Sequence, residues 1–143
     1  MNKELIKEWI NDLRSGKYKQ SVGCLMNENG YCCLGVACET YKRLTGKGEW
    51  VKEGLINSFT IYGIDDTYTE DKHVALLPNV VRGFFGFSET NPRLCNGNQC
   101  TTCNDAKHFD FNKIADLIED TFINEKPILS FPSPVPFESE SSM

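Results

Sequence analysis

One group of residues in the second half of the chain has the types and spacing of a zinc site. The pattern C-x4-C-x2-C-x4-H is formed by Cys95, Cys100, Cys103 and His108. Zinc prefers thiolate and neutral imidazole ligands in a tetrahedral arrangement, and the short C-x2-C spacing is common in metal knuckles. Zinc is therefore the one cofactor that the sequence suggests. The alternative is that these cysteines only pack, since reduced cysteines are common in the cores of proteins.

A pair of adjacent cysteines could supply a nucleophile. Cys32 and Cys33 lie at the predicted start of a helix, where the helix dipole favours a thiolate. Gln20 upstream, and His73 or His108 with Asn104 downstream, follow the chain order of a papain-like cysteine hydrolase, although no family signature surrounds the cysteines. The alternative is a buried pair that packs the helix onto the core.

The strongest polar cluster follows the first predicted helix and could hold an anion. It consists of Arg14, Ser15, Gly16, Lys17, Tyr18, Lys19 and Gln20. A glycine in a basic run exposes backbone N–H groups beside Arg and Lys side chains, and such groups bind phosphate. The cluster lacks the G-x4-G-K-[ST] pattern of a P-loop. The competing interpretation is a solvated helix end whose basic side chains stabilise the helix dipole. For Asn104 and Asp105, the residues alone favour a turn and capping role.

The overall composition restricts the class of protein. The formal net charge of -5 argues against a general nucleic-acid binder, which needs a basic face to neutralise phosphates. The sequence contains no apolar run of membrane-spanning length, and its first twenty residues lack the apolar core of a signal peptide. We therefore expect a cytoplasmic protein whose 7 cysteines are reduced thiols or metal ligands.

Hydrophobic periodicity predicts the elements that must position these residues. Helices are expected over residues 3–14, from 33 to about 44, from Pro78 toward Phe85, and along the apolar face from Phe111 to Phe122 with Asp110 as N-cap. An extended segment and a turn at 27–30 precede the second helix, and strand-prone pieces lie between 47 and 64. Residues 65–72 are expected to form an acidic surface loop.

These elements predict an α+β fold with a single compact domain over residues 1–126. The domain should contain about three to four helices and a small antiparallel sheet. Residues 127–143 are rich in Pro, Ser and Glu and have no core-forming pattern. They predict a disordered or extended tail.

Several motifs together resemble a widespread set of small uncharacterised tailed-bacteriophage proteins. The motifs are W-x3-LRSG-x-Y-x-Q-x2-G-x-L from Trp9 to Leu25, YCCLGV-x-C from Tyr31 to Cys38, LP-x2-V from Leu77 to Val81, Asn104-Asp105, and F-x2-IA-x-LIE from Phe111 to Glu119. The resemblance implies a phage origin and draws attention to the Arg-Ser-Gly cluster and the Asn-Asp pair as a shared site. Proteins of this type usually have an apolar residue at the position of Cys103, so the late cysteine group is particular to this sequence.

The leading hypothesis is a phage accessory binding protein that acts in the host cytoplasm. It would counter host defence or redirect host metabolism by sequestering a small anionic, nucleotide-like ligand or by blocking a host protein. The predicted ligand-binding residues are Arg14, Ser15, Gly16, Lys17, Tyr18, Gln20, Asn104 and Asp105. Two alternatives stay open, a small hydrolase with a cysteine nucleophile or a bound metal, and a virion or assembly component whose tail docks on a partner chain. A homo-oligomer is compatible with each hypothesis.

Overall fold

The structure, a computed structural model, describes residues 1–64 and 69–128. These residues contain four α-helices and five antiparallel strands. The elements are α1 (Lys3–Arg14), β1 (Met26–Asn27), β2 (Gly30–Tyr31), α2 (Cys33–Thr45), β3 (Glu49–Glu53), β4 (Ile56–Ile64), β5 (Thr69–His73), α3 (Asn79–Phe85), a π-helical turn (Thr102–Ala106), and α4 (Phe111–Ile118), which continues as a second π-helical segment (Glu119–Ile123). This arrangement confirms the α+β fold class with an antiparallel sheet.

Strand β4 lies at the centre of the sheet. Strand β3 pairs along one edge of it, and β1 and β5 share the opposite edge, with β1 at residues 56–57 and β5 at residues 59–64. The amide of Leu25 donates to the carbonyl of Val74 at 2.7 Å, which joins the ends of β1 and β5. Strand β2 adds to the outside of β1 through a tight hairpin. The hairpin therefore brings the segment that follows α1 next to the sheet.

The helices agree with the sequence predictions, because their apolar stripes and end signals are strong. Gly46 ends α2 in the left-handed conformation with φ of 75°, and Gly86 ends α3 in the same way. The Asp110 side chain accepts a hydrogen bond from the amide of Lys113 and caps α4 as predicted.

The predicted acidic loop was wrong over part of its length. Residues 69–72 belong to β5, because their backbone groups find partners on the exposed edge of β4. Composition alone favours a loop there, and the available sheet edge overrides it. Residues 65–68 lie outside the described residues, as do residues 129–143 of the predicted tail.

The core lies where α1 packs against α2, α3 and α4. The apolar face of α1 is buried, and the indole nitrogen of Trp9 donates to the carbonyl of Cys33 at 3.0 Å. Ring-to-ring contacts then cross the domain with centroid separations from 4.9 Å to 6.2 Å. They connect, in order, Tyr18, Tyr31, Trp50, Phe59, Tyr41, Phe84, Phe85, Phe87 and Phe122. Among the residues that the structure describes, no helix has the length and apolarity needed to cross a bilayer.

Candidate functional site

A groove of about 240 Å³ lies where the C-terminal end of α1 meets the start of α4. Its walls are formed by Leu13, Arg14, Gly16, Tyr18, Gln20, Asp110, Phe111 and Asn112. Four of the predicted ligand-binding residues are therefore brought together here, namely Arg14, Gly16, Tyr18 and Gln20. Ser15 and Lys17 are exposed on the same segment, and Asn104 and Asp105 reach the groove only through Gln20.

The end of α1 sets the path of this segment. The Ser15 hydroxyl donates to the carbonyl of Asp12 at 2.7 Å and accepts from the amide of Lys17 at 3.1 Å. Gly16 then has φ of 78°, a left-handed conformation that side-chain-bearing residues adopt only with strain. The chain turns at this glycine and then passes Tyr18 and Gln20 along the groove.

The backbone of Gln20 is held against β2. The amide of Tyr31 donates to the carbonyl of Lys19 at 2.8 Å, and the amide of Ser21 donates to the carbonyl of Tyr31 at 2.7 Å. Gly30 lies directly beneath, and a Cβ atom there would come within 2.2 Å of the Lys19 carbonyl oxygen. Only glycine allows this close approach, so the hairpin fixes the position from which the Gln20 side chain starts.

Two side-chain amides form the centre of the site. Gln20 Nε2 donates to Asn104 Oδ1 and to the carbonyl of Phe109, both at 2.8 Å. Asn104 Nδ2 donates to the carbonyl of Ser21 at 2.8 Å and to Asp105 Oδ1 at 2.7 Å. Reversing either amide would place an oxygen against acceptors only, so the network fixes both orientations.

This network leaves one polar atom of Gln20 for the groove. Both hydrogens of Nε2 are used inside the protein, and Oε1 accepts no hydrogen bond from any residue that the structure describes. An amide oxygen can only accept. Since Gln20 lines the groove, Oε1 is the one polar side-chain atom of Gln20 that is still open to a donor from a ligand there.

Arg14 supplies the fixed positive charge of the groove. Its Nη2 donates to Asp116 Oδ1 at 2.6 Å and to Glu119 Oε1 at 2.8 Å, which links α1 to α4. These bonds, with Glu119 the larger influence, raise the pKa of the guanidinium above its usual value. The Nε and Nη1 donors bind no other described residue. Arg14 can therefore donate hydrogen bonds to a ligand through Nε and Nη1, while the carboxylates of Asp116 and Glu119 already balance its positive charge.

The two adjacent cysteines lie inside the core. Both are buried, and burial is the main cause that raises the pKa of the Cys32 thiol. For Cys33, a hydrogen bond with Cys100 is the largest cause of the raised pKa, and burial is the next largest. Backbone N–H groups at the start of α2 lower the pKa of both thiols, but the burial of this helix start outweighs their effect. This geometry weighs against the nucleophile hypothesis.

The four predicted zinc ligands do not form a metal site in the structure. Cys100 and Cys103 are buried, whereas Cys95 is half-buried and His108 is exposed. No group of three or more His, Cys, Asp or Glu side chains within residues 1–64 and 69–128 is arranged to hold a metal ion. The zinc hypothesis therefore finds no ligand set in this part of the chain.

The contribution of α4 to the groove was not predicted from the sequence. The sequence pattern assigns Asp110 to capping and Phe111 to the core, and both residues also line the groove. One available signal was complementary charge. Arg14 ends the first helix, and Asp116 and Glu119 share one face of the last helix, which favours contact between these helices.

The comparisons identify a family for most of the chain. A family model described as a domain of unknown function (DUF8296) matches residues 1–122. The matched range contains every residue of the groove and of the amide network. No curated protein and no solved structure gives a match.

Proposed function

The chain belongs to the DUF8296 family, a domain of unknown function. From the geometry of the site, we propose that the protein is a phage accessory protein that sequesters a small, nucleotide-like ligand in the groove between α1 and α4. The observation that carries this proposal is the Gln20 carboxamide. The buried Asn104 accepts a hydrogen bond from Gln20 Nε2, which leaves Gln20 Oε1 as an acceptor for a ligand.

Preorganisation supports binding. Asn104 is 1% exposed, and its three hydrogen bonds fix the amide of Gln20 before a ligand arrives. Gly30 and the hairpin fix the Gln20 backbone as well. Ordering side chains on binding costs about 0.5–1.5 kcal/mol each, and this site avoids that cost at its central group.

The chemistry of the lining residues favours binding over covalent catalysis. The groove contains the amides of Gln20 and Asn112, a guanidinium, a phenol and the capping carboxylate of Asp110. Burial raises the pKa of Tyr18, with the charges of Asp12 and Glu39 adding to the effect, so its phenol stays protonated at neutral pH. The buried thiols of Cys32 and Cys33 are not among the lining residues. Such a set can recognise a polar ligand without reacting with it.

The host-directed role depends on the phage resemblance. The motifs that carry this resemblance include Arg14, Gly16, Tyr18, Gln20 and Asn104. A small binding protein made during infection can counter host defence, or redirect host metabolism, by lowering the free concentration of a signal or a metabolite. This role would act through the groove.

The proposal can be tested by native mass spectrometry. Untagged protein is measured before and after incubation with a boiled extract of infected host cells. We expect a small-molecule adduct on the native chain and on the Gln99→Ala variant, and its loss in Gln20→Ala. Gln99 is a matched control, because its half-buried amide also donates to a backbone carbonyl, that of Asn91, and lies outside the groove.

Circular dichroism must show that both variants are folded. An equal adduct on Gln20→Ala would place the ligand elsewhere. The absence of any adduct would contradict ligand sequestration and favour a host protein as the target.

A further inference from the structure

We infer that the groove takes the base of the nucleotide-like ligand and leaves its phosphate outside. The neutral edge of a nucleobase would donate an N–H to Gln20 Oε1 and accept from the Arg14 guanidinium. This inference rests on the proposed function and names the part of the ligand that the site recognises.

The hydrogen-bond pattern of the groove excludes phosphate as the central group. Gln20 Oε1 needs a donor, because both Nε2 hydrogens already bind Asn104 and Phe109. A phosphate at neutral pH presents acceptors almost exclusively and would meet this oxygen with repulsion. A nucleobase edge carries donors and acceptors side by side. It can therefore satisfy Gln20 and the free N–H groups of Arg14 together.

The charges around the groove point the same way. Asp110 lines the groove, and Asp116 and Glu119 already bind Arg14. A phosphate would have to compete with Asp116 and Glu119 for one guanidinium, and the Asp110 carboxylate in the groove wall would repel it. A neutral group avoids that competition. Lys17 and Lys19 are exposed on the same segment, so a phosphate attached to the bound base would meet them in solvent.

The size and the apolar walls fit a single planar ring system. The volume of about 240 Å³ is below the roughly 300–1,000 Å³ of pockets that enclose a whole ligand. Leu13 and Phe111 are 2% and 8% exposed and form an apolar base, and the half-buried Tyr18 ring lies along the same groove. Aromatic rings are the usual stacking surfaces for bases.

The first experiment varies the ligand and leaves the protein unchanged. Isothermal titration calorimetry compares adenosine, guanosine, cytidine and uridine, their 5′-monophosphates and inorganic pyrophosphate. We expect at least one nucleoside to bind without phosphate. Methylation that removes the N–H donor of that base should weaken binding tenfold or more, because Gln20 Oε1 is left unpaired. Pyrophosphate should not compete with it.

The outcomes separate this inference from the proposed function. Binding of pyrophosphate, together with no nucleoside binding, would overturn base recognition and keep sequestration of an anion. Equal binding of the methylated nucleoside would overturn the role of Gln20 as an acceptor. No binding of any nucleoside, nucleotide or pyrophosphate would overturn the inference and the nucleotide-like character of the ligand.

A pair of arginine variants tests the second contact. Arg14→Lys keeps the positive charge and the link to α4 but loses the planar fork, so nucleoside affinity should fall several-fold. Arg43→Lys is the control, because Arg43 also donates to two carboxylates, those of Glu8 and Asp12, and lies outside the groove. The nucleoside affinity of the Arg43→Lys variant should equal that of the native chain. Equal affinities for the two variants would overturn the assignment of Arg14 to the base.

Discussion

The side chain of Asn104 makes three hydrogen bonds from a position that is 1% exposed. Its partners are the Gln20 amide, the Ser21 carbonyl and the Asp105 carboxylate. It touches no ligand in the proposed function and acts by positioning Gln20. A buried amide in this role contributes to stability as well as to recognition, because each of its partners would otherwise be desolvated without a bond.

Asn104→Ala should therefore lower the free energy of unfolding by about 2–4 kcal/mol. The Ser21 carbonyl and one Gln20 N–H would lose their partners. Urea unfolding followed by circular dichroism measures the change. Asn112→Ala is the control, since Asn112 is exposed on α4, and it should stay within about 0.5 kcal/mol of the native chain. A loss below about 1 kcal/mol for Asn104→Ala would contradict the buried network.

The buried thiols predict a loss of stability at alkaline pH. Cys32, Cys33 and Cys38 have pKa values raised above 9.0, with burial contributing to each shift. As the pH rises through 9, the unfolded chain loses these protons and the native chain keeps them. The unfolded state then binds fewer protons, so stability falls by up to about 1.4 kcal/mol per pH unit for each thiol.

Cys38→Ala isolates one of these contributions. We expect the stability difference between the native chain and this variant to be constant below pH 8 and to shrink as the pH rises above 9. Urea unfolding midpoints from pH 7 to pH 10.5 provide the measurement. A difference that does not change with pH would show that the Cys38 thiol titrates alike in both states.

At the residue scale, the sequence indicates which residues are unusual but not which of them meet. Gln20 and Asn104 both belong to the predicted ligand set, yet 84 positions separate them along the chain. Only the packing of the π-helical turn against the segment after α1 brings them within 2.8 Å. The predicted zinc ligands illustrate the same point, because they are close along the chain but are not arranged around a metal position. Short spacing along a chain does not guarantee convergence in an irregular segment.

At the scale of elements, one glycine controls how α2 meets the first hairpin. A Cβ atom on Gly35 would come within 1.9 Å of the Leu25 carbonyl oxygen. That oxygen also accepts from the amide of Cys32 at 3.1 Å, so the two backbones meet directly. The motif YCCLGV thus contains a glycine because a helix and a backbone segment touch at this point.

Gly35→Ala should lower the free energy of unfolding by about 2–4 kcal/mol, because α2 must move away from Leu25. The matched control is Gly83→Ala in α3, where nothing lies within 4 Å of the new Cβ atom. That substitution should be neutral or stabilise the fold by up to about 1 kcal/mol, since alanine favours helix. Thermal unfolding of both variants tests the contrast. Similar effects of the two changes would contradict the close contact.

The predictability of the elements follows from what stabilises each one. The helices carry 3.6-residue apolar stripes and end signals, so the helix over residues 3–14 and the Asp110 cap could be read from the sequence. Strand β5, Thr69–His73, is a run of polar and charged residues without apolar alternation. Its partner is the backbone of β4, and backbone pairing leaves no mark on side-chain composition.

At the scale of the whole molecule, the described chain continues to pack against the domain for a few residues past α4. Phe122 packs against Phe87 with ring centroids 5.0 Å apart, and the Thr121 hydroxyl accepts from the amide of Cys95 at 2.8 Å. The last backbone hydrogen bond of the described residues runs from Lys126 to Asp120. This agrees with a family match that covers residues 1–122.

Truncation after Lys126 should therefore leave the fold intact, whereas truncation after Asp120 should destabilise it by at least about 3–5 kcal/mol, the usual effect of deleting a buried phenylalanine. Differential scanning calorimetry of the two shortened chains compares them with the full chain. A large loss of stability in the first truncation would show that residues beyond 126 belong to the packed domain.

The groove itself could be only partly foreseen, because it is a property of two helices that pack together. The polar cluster from Arg14 to Gln20 identifies one wall. The other wall depends on where α4 lies, and its residues have ordinary capping and core roles in the sequence. A single sequence reveals which faces are apolar, but the pairing of those faces is decided by the whole fold.

The ring contacts that cross the domain give the protein a built-in optical reporter. Trp9 is fully buried beside Phe85, whereas Trp50 is half-buried and touches Tyr31, which in turn touches Tyr18 at the groove. Light absorbed by the tyrosines can pass to Trp50 over these short separations. Occupation of the groove would disturb Tyr18 first, so the emission of Trp50 should change. Replacing either tryptophan by phenylalanine would give each signal separately.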